Sequence, residues 1–239
     1  VGIKGRWGRE LSPWLNNRLV KTKSPHIVDR SLELVDACFD VAATNQVVLD
    51  LPVCDDAQRS MDDWLQASAG TSDFHCSGFC LINPGASWAS KRWEIDRFGD
   101  VARQVKLQFG VSSVVVWAGK EEQTMAQHVV EVSQGAATMA APTTLRQLAA
   151  LAKRAKFFIG GDTGPMHIAA AVGTPCVGLY GTTRPEDSGA YGPQHVHVQK
   201  WFQDGSCRQR RSAANDAMRD ILTGDVVEAC EQLLDRLQK

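Results

Sequence analysis

The chain has 239 residues, and at roughly 150 residues per domain that is room for one large domain or two small ones. Its 26 Lys and Arg against 27 Asp and Glu give a formal net charge of −1. No basic surplus is left to drive binding to nucleic acid or an anionic membrane, and any phosphate must be held locally. With 44% hydrophobic and 22% charged residues, and no apolar run near the ~18 residues a bilayer span needs, the disordered, collagen-like and membrane-spanning classes are excluded.

The opening stretch, Val1 to Arg9, has neither an initiator Met nor the apolar core of a signal peptide, and is expected to be the interior of a longer sequence. Val28, Leu32, Val35 and Phe39 recur at helical spacing and predict a first helix. Residues 50–70 hold Pro52, clustered acids and small side chains, and read as a connector with a short helix around residues 61–66. A domain boundary is expected there, with residues 1–60 as one truncated domain plus linker and residues 61–239 as the other.

From Phe79 onward, short β-rich runs alternate with helical periodicity, the signature of βαβ units on a parallel sheet. Strands are expected at residues 79–83, 113–117, 136–140, 156–160 and 175–180, with a further one at 196–200. Between them, Ile95, Phe98, Ala102, Val105 and Phe109 line one helical face that Gly110 ends. Residues 121–132 predict the next helix, Leu145, Leu148, Ala152 and Ala155 another, and Pro165 and Gly173 open and close a further one. Residues 181–194, with three glycines and two prolines, predict a long loop, and residues 226–237 a closing helix. The result is a doubly wound α/β fold, whose ligands bind beyond the C-terminal ends of the strands.

Seven cysteines (Cys38, Cys54, Cys76, Cys80, Cys176, Cys207, Cys230) are an odd, scattered set that suits a reducing compartment better than a disulfide framework. His75 and Cys76 with Cys80 have no second ligand pair at zinc-like spacing, so no metal is expected.

Three segments at strand ends can carry chemistry. In Asn83-Pro84-Gly85-Ala86-Ser87-Trp88-Ala89-Ser90-Lys91-Arg92-Trp93, a Pro-Gly loop with two serines and a Lys-Arg pair can offer amides, hydroxyls and cations to one anion. A solvated turn with surface charges would read the same way. Neither GxxxxGK[ST] nor GxGxxG occurs, which removes the usual NTPase and dinucleotide fingerprints. In Gly160-Gly161-Asp162-Thr163-Gly164-Pro165-Met166-His167, glycines permit close backbone approach, Thr163 or Gly164 can cap a helix, and its N-terminal amides suit a diphosphate. Asp162 would be repelled by phosphate and is expected to accept from loop amides or a sugar hydroxyl. In Trp117-Ala118-Gly119-Lys120-Glu121-Glu122, an acid after a strand can accept ribose hydroxyls, although acids at a helix start are favoured by the dipole alone. Three such segments on one sheet point to a shared nucleoside-diphosphate site.

These segments, with Leu179-Tyr180-Gly181-Thr182-Thr183 and Tyr191-Gly192-Pro193, make the chain resemble glycosyltransferase family 9, the family of the ADP-heptose:lipopolysaccharide heptosyltransferases. The likeness runs over about residues 80–239, and Asn16-Asn17-Arg18 and residues 26–30 look like the tail of that family's first domain. It implies a GT-B architecture, with a nucleotide-sugar domain after an acceptor domain. It also implies that Ser87 and Lys91 meet the diphosphate and sugar, Glu122 the ribose and Thr143 the adenine, with Asp162, Thr163, Gly164 and His167 around the diphosphate and sugar. The implied reaction is inverting transfer of heptose from ADP-heptose to a lipid-linked lipopolysaccharide core, with no metal or added cofactor. The implied place is cytoplasmic, peripheral to the inner membrane.

Two departures stand out. Only Cys207, among Arg208, Arg210 and Arg211, remains where the family carries a cysteine cluster, and no Gly-rich segment within residues 1–50 supplies the family's general-base Asp. The competing readings are a nucleotide-sugar-binding module that cannot transfer, and a scaffold using Arg6, Arg9 and residues 208–211 for partners.

Overall fold

The computed structural model describes residues 1–4, 12–39, 47–68 and 78–237. It divides into two units, Val1–Val48 with Glu186–Gly189, and Leu49–Pro185 with Ala190–Lys239. Cys76 and His75, and the scaffold reading's Arg6 and Arg9, lie outside the described residues.

In the first unit, β1 (Gly2–Ile3), α1 (Ser12–Leu15) and β2 (Leu19–Val20) precede α2 (Ile27–Phe39), and β1 and β2 pair in parallel. Glu33 holds the entry to α2, accepting from the amides of Lys23 at 2.6 Å and Ser24 at 3.0 Å and from the Ser24 hydroxyl at 2.5 Å. The Ser24 hydroxyl leads the bonds that keep its carboxyl below the usual range against a mild desolvation.

The second unit opens with α3 (Asp55–Ser68) and then alternates: β3 (Phe79–Asn83), α4 (Ile95–Phe109), β4 (Ser112–Val115), α5 (Gly119–Val132), β5 (Ala137–Met139), α6 (Leu145–Arg154), β6 (Phe157–Gly161), α7 (Gly164–Ala171) and β7 (Cys176–Leu179). After a short α8 (Pro185–Ser188), most of which belongs to the first unit, β8 (Val196–Val198), α9 (Cys207–Ser212), α10 (Asp216–Arg219) and α11 (Thr223–Leu237) complete it. The six strands lie in the order β5-β4-β3-β6-β7-β8, all parallel. β3 lies between its sequence successor β4 and the later β6, so the strand order reverses between β3 and β6, and a crevice opens there.

Alternation along the strands sorts the core into two layers. Cys80, Ile82, Phe157, Ile159 and Val177 face α4, α5 and α11, while Leu81, Val114, Phe158 and Cys176 face α3, α6 and α7. Helix α4 buries Phe98, Val101, Ala102 and Val105 and stops where Gly110 turns left-handed at φ 68°, its N–H returning to the Lys106 carbonyl at 3.0 Å.

Two expectations need correction. The short helix read at residues 61–66 of a connector is a full fourteen-residue helix, α3, which buries Ala57, Met61 and Leu65 at four-residue spacing. Residues 181–194 are not loop throughout, because Pro185–Ser188 makes a helical turn.

Candidate functional site

The last residues of β3 and β6 face each other across the switch point, with Asn83 in register with Gly160. A Cβ on Gly160 would stand 3.0 Å from the Asn83 carbonyl oxygen, and one on Gly161 would stand 3.2 Å from that of Lys91. Both glycines are therefore set by close backbone approach. Asn83 itself is 2% exposed. Its Nδ2 donates to the Gly85 carbonyl at 3.1 Å and to Thr163 Oγ1 at 3.3 Å, tying the two loops together.

Beyond Ser87 the chain makes a 3-10 turn over Ala89–Lys91, which carries the Lys91 ammonium back across the crevice. Lys91 Nζ donates to Asp162 Oδ2 at 2.9 Å and to the Asp162 carbonyl at 3.0 Å. His167, one turn into α7, places Nε2 3.0 Å from Asp162 Oδ1, so Nε2–H donates to the carboxylate. The side chains of Lys91 and Asp162 are 15% and 7% exposed, whereas that of His167 is 45% exposed at the mouth. Burial alone would raise the Asp162 pKa. The His167 hydrogen bond, the Lys91 charge and hydrogen bond, and a Thr183 hydrogen bond together outweigh it and hold the carboxyl well below the usual range.

Asp162 was expected to accept from loop amides or a sugar hydroxyl, and three side chains, Lys91, His167 and Thr183, bond to it in the structure. The reason is the fold: Lys91 lies 71 positions earlier and reaches Asp162 only because β3 and β6 are neighbours.

Helix α7 starts at Gly164 after Thr163, with Pro165 in its first turn. Thr163 is the N-cap by position, but its hydroxyl donates to the Gly161 carbonyl at 3.2 Å rather than capping the helix. The amides of Gly164 and Met166 open the helix with no intrahelical acceptor available to them. Gly164 is exposed, its φ is ordinary, and an added Cβ would meet nothing within 4 Å.

Glu122 stands at the third strand end. Its Oε2 accepts from the Ala118 N–H at 2.8 Å, closing the start of α5, and its carboxyl lies against Gly85, where an added Cβ would be 2.3 Å away. Arg92 links the same loops, donating to the Ala86 carbonyl at 2.9 Å and to Glu121 at 2.6 Å.

The structure thus brings Lys91, Asp162, Thr163, Gly164 and His167 together at one crevice. Ser87 is exposed on the β3 loop, and Thr143 is half-buried in the loop after β5, just before the Thr144 cap of α6. Sequence reasoning gave no role to Asn83 or Thr183, although a buried Asn beside a Pro-Gly turn was a usable signal. A cleft of about 390 Å³ adjoins the β3 loop, lined by Pro84, Arg92, Trp93, Met125 and His128 among others, but Lys91, Asp162 and His167 do not line it.

An ammonium, an imidazole and a helix N-terminus grouped around one buried carboxylate form an anion cradle. The carboxylate fixes the ammonium and the imidazole in place, and the ammonium keeps its third proton for a ligand oxygen. Among the described residues no three His, Cys, Asp or Glu side chains cluster as metal ligands, and no helix is long and apolar enough to cross a membrane.

The sequence profile of glycosyltransferase family 9 (heptosyltransferase) matches residues 2–218. The lipopolysaccharide core heptosyltransferase OpsX of Haemophilus influenzae is 26% identical over 195 residues, 80% of this chain and 53% of that protein. The crystal structure of a family 9 glycosyltransferase from Veillonella parvula superposes with a TM-score of 0.73 at 24% identity, over 95% of this chain and 65% of that one. The E. coli ADP-heptose lipopolysaccharide heptosyltransferase II superposes with a TM-score of 0.71 at 18% identity, over 96% of this chain and 69% of that one. These likenesses place the fold in the α/β, GT-B type. The chain spans about half the length of the curated relatives it matches. With its family profile covering most of the sequence, the chain belongs to glycosyltransferase family 9.

Proposed function

We propose that residues 61–239 form a nucleotide-sugar-binding domain and that the switch-point cradle holds the diphosphate of an ADP-activated heptose. The observation that carries this is the Lys91–Asp162–His167 constellation at the N-terminus of α7. On this reading the first-turn amides of α7, the Lys91 ammonium and His167 meet the diphosphate, Ser87 and Thr163 add hydroxyls, Glu122 takes the ribose, and Thr143 lies beside the base. The role in transfer is to stabilise the ADP leaving group as the glycosidic bond to phosphate breaks, through an amide array and a cation that need no reorganisation. The acceptor is a lipid-linked saccharide of the lipopolysaccharide inner core, reached from the cytoplasmic face of the inner membrane. Relatives named for lipopolysaccharide heptose transfer support the choice of sugar and acceptor.

The site's own carboxylates are engaged. Asp162 is held ionised by three donors, Glu121 pairs with Arg92, and Glu122 accepts from Ala118. None of them is set to take a proton from an acceptor hydroxyl, and that favours a second reading in which the chain alone binds the sugar nucleotide without transferring it. Calorimetric titration with ADP, GDP and UDP tests the shared part: ADP binds and is preferred. Failure of all three to bind overturns both readings, and heptose transfer by this chain alone overturns the second.

A further inference from the structure

The segment between β8 and α10 makes three successive bonds to the loop after β7. The carbonyl of Gly181 accepts from the Gln203 N–H at 2.9 Å, that of Thr182 from Arg210 Nη1 at 2.6 Å, and that of Thr183 from Gln199 Nε2 at 2.8 Å. The held loop then touches the cradle twice. The Thr182 hydroxyl is buried against Ser90 Oγ at 3.4 Å, beside Lys91, and Thr183 hydrogen-bonds Asp162.

Arg210 is the charged member of the three donors, and it is half-buried with several partners. Helix α9 is closed by a capping box between Ser206 and Gln209, which sets Arg210 one residue further along. Its Nε donates to the Gly205 carbonyl at 3.1 Å, and its guanidinium lies 5.5 Å from the centre of the Phe202 ring, which also carries Arg184 at 4.1 Å. A guanidinium used in this way spends its fork on backbone carbonyls and is no free surface charge.

We propose that Arg210 is a positioning residue for the diphosphate cradle: by clamping the Thr182–Thr183 peptide it holds the hydroxyls that fix the 3-10 turn and Asp162, and so the Lys91 ammonium. The inference rests on the nucleotide-binding reading given above. It assigns a task to the arginine-rich helix α9. Because the Thr183 hydroxyl is one of the two that Arg210 holds, removing Thr183 cuts a link that the loss of Arg210 already loosens.

A double-mutant cycle on ADP affinity tests this. Arg210→Ala and Thr183→Val are each expected to raise Kd about five- to tenfold, and the double variant by no more than the larger single effect. Arg210→Lys, which keeps a donor for the Thr182 carbonyl, recovers part of the loss, and Arg208→Ala, on an exposed neighbour, matches the wild type. An Arg210→Ala affinity within about twofold of wild type, or single effects that multiply in the double variant, overturns the clamp. Absence of ADP binding by the wild-type chain instead overturns the nucleotide reading, and the clamp with it.

Discussion

Asp162 and Lys91 form the buried ion pair at the centre of the cradle. Replacing Lys91 with Ala leaves a buried carboxylate facing the incoming phosphates, so both attraction and screening are lost. We expect an ADP Kd raised at least about tenfold, equivalent to about 1.4 kcal/mol, by calorimetry. A different residue governs acid stability. His195 is 5% exposed, accepts from the Cys176 N–H at 3.1 Å and reaches the Tyr191 carbonyl at 3.2 Å, and desolvation pulls its pKa down to about 4. The unfolded imidazole titrates near 6.5, so the unfolded state binds the extra proton between these values. The stabilisation is present above pH of about 6.5 and is lost as pH falls toward about 4. Urea midpoints across that window should fall in the wild type and fall less in His195→Gln, which starts lower at neutral pH. Asp162 acts in the same sense further down the scale, since its lowered pKa makes its contribution vanish only as pH drops below the ordinary carboxylate range.

At the scale of elements, α7 separates ligand binding from folding. Gly164 needs neither a left-handed φ nor room for a neighbour, so Gly164→Ala fits the folded chain and should stabilise it by about 0.4–1 kcal/mol. The new methyl occupies the space over the helix end, and ADP affinity should drop while the melting temperature rises. The cap of α6 gives the opposite case: Thr144 accepts from the Gln147 N–H at 3.3 Å while Gln147 returns a bond at 2.9 Å. Thr144→Ala should cost about 1 kcal/mol by urea denaturation and leave ADP binding unchanged. Most of this scaffold was legible in the sequence because periodicity and caps are local. Phe98, Ala102 and Val105 at helical spacing before Gly110 specify α4 and its end with nothing else needed. Helix α3 was read too short, as residues 61–66 of Asp55–Ser68, because its buried face is only Ala57, Met61 and Leu65 among acids, which looks like a linker until the sheet supplies something to pack on. The candidate site divides the same way. The loops that carry Lys91, Asp162 and His167 were readable, but the pairing of Lys91 with Asp162 and the reach of Thr183 and Arg210 come from strand order, which no local pattern records.

For the molecule as a whole, a net charge of −1 means that anion binding must come from local geometry, and the cradle supplies it with one ammonium, one imidazole and one helix end. Binding should therefore depend sharply on the phosphates of the ligand, with little general affinity for polyanions. Side-by-side calorimetric titration of ADP and adenosine, on the wild type and on Lys91→Ala, measures this most directly. The cradle predicts that ADP binds the wild type at least about a hundredfold tighter than adenosine does, and that Lys91→Ala closes much of that gap while adenosine binding is unmoved. Equal affinities for ADP and adenosine, or a gap that survives the loss of Lys91 intact, would contradict it.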